Sequence, residues 1–287
     1  RGLAGGLSVG ALGIGTFLIT PIARMLMESA PEGQTPVMWA FKVLGIVFLL
    51  LIAGAAFFMV TPEPGYKPAG WEPKSAGGAK SPSANDVNWI GMLKKAEFWV
   101  LFMMYACGAF SGLMVISQAS PIGQKMANLT PADAVWIVSL MGLSNALGRV
   151  FWGFVSDKIG RLNSLLTMFA VTAVAMFLLP ELAKAKTTLL IDGMIVGACF
   201  GGYLGTFPSV CADYFGTKNL TVNYALLFSA FSVAAIAGPI SAGKIHTATG
   251  TYVNAFIIAG AVSAAGVLLT IIAIFLSRRK ANNPLNT

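Results

Sequence analysis

Charge is scarce in this chain. Only 10% of its 287 residues are Asp, Glu, Lys or Arg, whereas a soluble domain carries about 25%. Disorder fails on the same numbers, because 56% of the residues are hydrophobic. Histidine occurs once, as His246, and cannot build a metal site alone. Cys107, Cys199 and Cys211 show no C-x-x-C spacing and lie in or beside apolar runs, which argues against a disulfide framework or a zinc site. Glycine (32) and proline (14) are plentiful, but they sit inside apolar runs rather than in a G-X-Y period, so the chain is not collagen-like. The net charge of +8 invites a nucleic-acid partner. The Lys and Arg lie between apolar runs with no basic stripe of interleaved aromatics, so no nucleic acid is expected. No H-E-x-x-H and no paired intramembrane aspartates appear, so the chain is not expected to be an enzyme. No metal and no tightly bound cofactor is implied.

What the chain has is long apolar runs. A transmembrane helix needs about 20 mostly apolar residues, and eight segments qualify: 3–23, 38–60, 96–118, 132–154, 162–180, 187–210, 221–241 and 252–277. Lipid cannot satisfy open backbone groups, so segments of this length are helices. The alternating ten-residue strands of a barrel are absent. The fold class is therefore an all-α polytopic membrane protein with the lipid bilayer as partner. One long polar stretch, rich in Pro, Gly, Ser and Lys, follows the second segment and has linker chemistry. It gives the expected organisation: 1–60 as the last two helices of an N-terminal bundle, 61–92 as a cytoplasmic central linker, 93–277 as a complete six-helix bundle, and 278–287 as a cytoplasmic tail. The first residue is Arg1, already in an apolar run, and the chain reads as part of a longer protein.

Lys and Arg set the orientation. Thirteen fall on the side of the linker, the 158–161 loop and Arg278, Arg279 and Lys280, against six on the other. The split places both ends of this chain and the linker in the cytoplasm of a plasma or inner membrane. Within the 187–210 segment, Gly193, Gly197, Gly201 and Gly205 recur at every fourth position. They share a helical face where a neighbouring backbone can approach closely.

Residues 148–161 read GRVFWGFVSDKIGR. This G-R-x-x-x-G-x-x-S-D-K-x-G-R string, between two spans on the positive side, closely resembles the cytoplasmic loop signature of the major facilitator superfamily. The resemblance implies a major facilitator helical bundle with eight transmembrane helices present of an expected twelve, helices 5–12. In the loop, Gly153 permits close helix contact and Gly160 a tight turn. Asp157 suits a neighbouring helix start and Arg161 can pair with it, making a latch that gates the cytoplasmic side.

A narrower likeness comes from GGYLGTFPS at 201–209, ADYFG at 212–216, NYALL at 223–227, and Gly238-Pro239. These look like the oxalate/formate antiporter family, whose relatives include carriers of lactate and other monocarboxylates. The resemblance implies a secondary active transporter that moves a small organic anion by alternating access. A counter-anion or a proton would be the coupling species, and the full-length protein would work as a monomer. In that family the arginine of the matching helix engages the anion, a role that falls on Arg149. Its depth, about 12 Å from Asp157 at 1.5 Å per residue, fits a functional intramembrane charge. The bland alternatives are snorkelling to the rim or membership of the latch.

Asn145, one turn before Arg149, can bond the substrate or orient the guanidinium. Proton-coupled monocarboxylate carriers typically place an aspartate there, and the remaining acids, Asp133, Asp157, Glu181, Asp192 and Asp213, read near helix ends. Oxalate-transporting members carry a lysine after the N-Y-x-L-L-x-x-A pattern, where this chain has Phe231. One cation suits a monoanion, so lactate or formate is expected ahead of oxalate. Tyr203, Tyr105 and Phe231 would form an aromatic wall of the site, with helix packing as the plain alternative for each. The runner-up function is a proton-driven exporter of drugs or neutral metabolites in the same superfamily. From another class, a transporter-like receptor without flux would bind ligand and move none.

Overall fold

The computed structural model describes residues 2–60 and 86–282, with side chains described for 14–60 and 86–277. Most of the expected linker, the terminal tail beyond 282, and Arg1 lie outside the described residues. The described chain is helical: α1 Gly2–Glu28, α2 Pro36–Ala56, the short α3 Trp89–Leu93, α4 Ala96–Met126, α5 Pro131–Ile159, α6 Arg161–Leu182, α7 Lys186–Phe215, α8 Leu220–Thr249 and α9 Val253–Asn282. Among the described residues, α2 and six helices from α4 onward are long and apolar enough to cross a membrane. A further helix of 27 residues, α1, covers the first expected span. The chain is thus an integral, multi-pass membrane protein.

The helices overrun the apolar segments that signal them. Thirty residues of α-helix measure about 45 Å against about 30 Å of hydrocarbon. The surplus carries polar residues that hydropathy does not mark. The stops are local chemistry. Thr130 caps α5, accepting from the Asp133 N–H at 3.2 Å, with Pro131 at the first helical position. Gly160 breaks α5 from α6 with φ of +90°, a conformation that L side chains rarely adopt.

Two compact units divide the chain: Arg1–Leu18 with Asn85–Thr287, and Ile19–Ala84. In the second, Arg24 pairs with Glu28 at 2.7 Å, and α2 is apolar with Ala40 its one buried residue. In the first, α5 packs on α7, α4 on α8, and α6 on α9 as the dominant pairs. Residues 86–92, counted with the linker by composition, are held against the bundle. The Val87 N–H donates to the Phe215 carbonyl at 3.1 Å, and Asn223 Nδ2 donates to the Val87 carbonyl at 2.9 Å. Asn88 caps α3 through the Gly91 N–H.

Candidate functional site

The α5–α7 contact is built on glycine. A Cβ on Gly201 would overlap the Asn145 carbonyl oxygen, and one on Gly148 would overlap the Ala198 carbonyl. At Gly197 it would stand 2.8 Å from the Met141 carbonyl oxygen, at Gly205 3.0 Å from the Arg149 carbonyl oxygen, and at Gly193 3.3 Å from Met141 Cγ. The four-residue stripe of α7 therefore runs along Met141, Asn145 and Arg149 of α5. Backbones come this close only where side chains are missing. The same close approach fixes the helix that carries the candidate anion ligand.

Arg149 is buried, 5% exposed, and its Nε donates to Asn145 Oδ1 at 3.1 Å. The four-residue spacing on one helix makes this bond possible, and it holds the guanidinium plane against rotation. The pair borders a cavity of about 170 Å³ lined by Thr16, Ile116, Val138, Met141, Gly142, Asn145, Arg149 and Phe200. At about 30 Å³ per water, it has room for about five or six water-sized groups. The lining is apolar apart from Thr16, Asn145 and Arg149, so a small acid would meet one cation, an amide and a hydroxyl on a greasy floor.

The aromatic residues divide into two sets. Tyr105 and Tyr224 share a hydroxyl hydrogen bond of 3.1 Å, and both lie within electrostatic reach of Arg149. Tyr105 stacks on Phe207 at 4.1 Å between ring centroids. Phe231 stacks on Phe228 at 4.9 Å and lies 6.1 Å from Phe200, which itself lines the cavity. Phe231 thus stands one ring behind the cavity wall. Tyr203 faces elsewhere. Its hydroxyl lies 3.2 Å from Thr172 Oγ1, its ring 4.8 Å from Phe169, and a Cβ on Gly108 would press against it at 2.9 Å. That position is a packed, hydrogen-bonded core between α4, α6 and α7, so the three aromatics expected to form one wall are not brought together: Tyr105 is bonded to Tyr224, Phe231 lies behind Phe200, and the cavity itself is lined by Phe200.

Tyr224, Phe200 and Thr16 belong to the site region without having been singled out. Tyr224 had a signal, since 224, 228 and 231 fall on one helical face at spacings of four and three, and Phe231 already marked that face. Phe200 and Thr16 carry no pattern that separates them from packing residues.

At the far end of α5 the loop is tied down. Arg161 Nη2 pairs with Asp157 Oδ1 at 2.6 Å, Nε lies 3.6 Å from Asp213 Oδ2 of α7, and Nη1 donates to Ser156 Oγ. Gly153 is buried on α5 and Gly160 makes the turn. One guanidinium thus joins the α5–α6 corner to the end of α7.

Residues 124–287 match the family model of the Major Facilitator Superfamily. The chain belongs to that superfamily. It is 27% identical over 236 residues to an uncharacterized MFS-type transporter, YhjX, of Escherichia coli, covering 82% of this chain and 55% of that one. Against the oxalate:formate antiporter of Oxalobacter formigenes it is 32% identical over 243 residues, covering 83% and 54%. Against monocarboxylate transporter 12 of Xenopus laevis it is 25% identical, covering 91% and 58%. The chain spans about half the length of these relatives. The fold also matches the crystal structure of a bacterial homologue of the human lysosomal transporter Spinster. That match has a TM-score of 0.51 and 18% identity, and it covers 95% of this chain and 66% of that one.

Proposed function

We infer that this superfamily member works, in its full-length form, as a secondary transporter of small monocarboxylates such as lactate or formate, by alternating access. The observation that carries the reading is the buried Arg149, braced by Asn145 at the edge of a small, mostly apolar cavity. A guanidinium offers a planar fork to a carboxylate and stays charged in an apolar surround. The likeness to an oxalate:formate antiporter and to monocarboxylate transporters supports the substrate class. Phe231, in place of the second cation that the oxalate resemblance implies, supports a monoanion over a dianion. On this reading the 61–92 segment is the central linker, 93–277 the C-terminal bundle, and the Asp157–Arg161 end faces the cytoplasm.

The test is counterflow uptake of labelled lactate, formate and oxalate by the full-length protein in proteoliposomes, beside Arg149→Gln. Uptake of a monocarboxylate that the substitution abolishes is the expected result. Uptake indifferent to the substitution would remove Arg149 from the site. Transport of oxalate alone would overturn the monoanion assignment, and no uptake of any of the three would overturn the substrate class.

A further inference from the structure

Asp192 lies in α7, six residues from its start at Lys186 and about 9 Å along the axis at 1.5 Å per residue. By sequence it reads as a helix-end acid. The structure instead buries it, 2% exposed, and leaves its Oδ2 without a hydrogen-bond partner. Leu189 and Val196, one turn to either side on the same face, belong to an apolar cluster with Ile122, Met176 and Leu179. An ionised carboxylate in such a place costs several kcal/mol or more unless it is paired.

Among the described residues no ion pair includes Asp192; the charged or titratable groups of the packed helices toward that end are Lys125 of α4, Asp133 of α5, Glu181 of α6, and Lys244 and His246 of α8. Most of these groups are engaged elsewhere: Lys186 pairs with Asp133 at 2.7 Å, Lys184 with Glu181 at 2.6 Å, and Lys125 hydrogen-bonds His246 at 3.0 Å, while Lys244 is exposed. A carboxyl that is buried, has one oxygen unbonded and takes part in none of these pairs is favoured there as the neutral acid.

Its neighbour in sequence ties it to the anion site. Gly193 is the first glycine of the seam along α5, and Gly205, about 18 Å further along α7, lies against the Arg149 backbone. Small side chains let two helices slide or tilt along such a seam. A tilt that lifts the start of α7 would bring Asp192 toward water while changing the spacing at Arg149.

We propose that Asp192 is the proton-binding site that makes anion movement proton-coupled. It takes up one proton to become COOH where water reaches it, is carried buried as the neutral acid, and returns to COO⁻ when it is exposed to the other side. The proton travels with the anion held at Arg149, so the pair crosses as one electroneutral unit. This inference rests on the monocarboxylate reading of the Arg149 site.

The experiment compares full-length wild type and Asp192→Asn in proteoliposomes, with protein-free vesicles subtracted, using labelled lactate and formate. Across a gradient of about one pH unit, one proton per anion supports up to about tenfold accumulation. Wild type is expected to accumulate the acid, and Asp192→Asn to equilibrate it without accumulation while keeping counterflow at equal pH. Accumulation by Asp192→Asn equal to wild type overturns the proposal, as does wild-type accumulation that ignores the gradient. Counterflow lost with Arg149→Gln but accumulation intact in Asp192→Asn sinks only this inference. No counterflow by the wild type removes the transport reading itself. Infrared difference spectra give a second measure, including for Asp192→Glu should the amide variant not fold. A carboxylic C=O band that vanishes in Asp192→Asn or shifts in Asp192→Glu is expected, and a band unchanged by either substitution overturns the assignment.

Discussion

The glycine seam allows a graded test of how α5 is positioned. Gly201→Ala places a methyl group on the Asn145 backbone, against its carbonyl oxygen, C and Cα. A backbone cannot rotate away as a side chain can, so α5 and α7 must move apart. Overpacking of this kind costs about 1–3 kcal/mol. The displaced segment carries the Asn145–Arg149 pair, so a substrate bond is lengthened as well. Loss of one hydrogen bond to a charged group, about 1.5–3 kcal/mol, corresponds to roughly 10- to 100-fold in affinity. Gly205→Ala is milder, because its Cβ meets the Arg149 carbonyl oxygen at 3.0 Å and Cα at 3.3 Å, a strain that a few tenths of an ångström relieve. Gly243→Ala in α8 meets nothing within 4 Å and serves as the control, neutral or stabilised by up to about 1 kcal/mol from helix propensity. Thermal unfolding in detergent and lactate counterflow in proteoliposomes read the two effects separately. The expected order of damage is Gly201→Ala, then Gly205→Ala, then Gly243→Ala. Wild-type KM and Tm in Gly201→Ala would refute the claim that this contact positions Arg149.

Removing single hydroxyls separates the two aromatic sets. Tyr224→Phe takes away the partner of Tyr105 near Arg149 and is expected to raise the counterflow KM several-fold, about 1 kcal/mol of lost hydrogen bonding. Tyr203→Phe breaks only the bond to Thr172, so it should lower Tm by an amount of about the same energy and leave KM unchanged. Asp213→Asn weakens the tie between Arg161 and α7. The carboxylate is 49% exposed, so the stability change is expected within about 1 kcal/mol, and the effect should appear in maximal transport rate with KM unaltered; a KM change in place of a rate change would exclude the latch. Asn145→Ala removes the brace on the guanidinium, and the expected loss of lactate affinity is smaller than for Arg149→Gln in the same counterflow assay.

The architecture was legible because lipid leaves one solution. Apolar runs of about 20 residues must be helices, and the eight runs fall on eight of the long helices. Their ends were less legible, since Gln124, Lys125 and Met126 extend α4 by means that hydropathy does not record. Arg149 and Asn145 were visible because charge inside an apolar helix is rare and four residues make one turn. The direction of Tyr203 was hidden. It lies in the same run as the seam glycines Gly201 and Gly205, but its own azimuth turns it to α6, and only the packed helices settle which neighbour a given azimuth meets. Asp192 was hidden for the same reason. Distance from a helix end along the sequence gives depth, while burial depends on which helices close over that face.

One pair of helices links the features that bear on function. On α5 lie Asn145, Arg149, Gly153 and Asp157; on α7 lie Asp192, the four seam glycines and Asp213. The anion ligand, the buried acid and one partner of the corner tie are therefore carried on two helices whose spacing is held by backbone contact rather than by interlocking side chains. An interface of that kind resists separation but offers few side-chain ridges against sliding. A shift along it moves all three together. That geometry gives the proposed carrier a short route by which charge neutralised at Arg149 can favour release of the Arg161–Asp213 tie: Arg161 opens α6 directly after the Gly160 turn that ends α5 and is paired with Asp157 of α5, and Asp213 rides on α7. The route makes a demand that packing alone does not. Cross-linking α5 to α7 at their lipid-facing edges, away from the cavity, should stop transport while leaving lactate binding at Arg149 intact, measured by equilibrium binding to the cross-linked protein. Transport that survives the cross-link would mean that α5 and α7 move as one body and that the coupling lies at another interface.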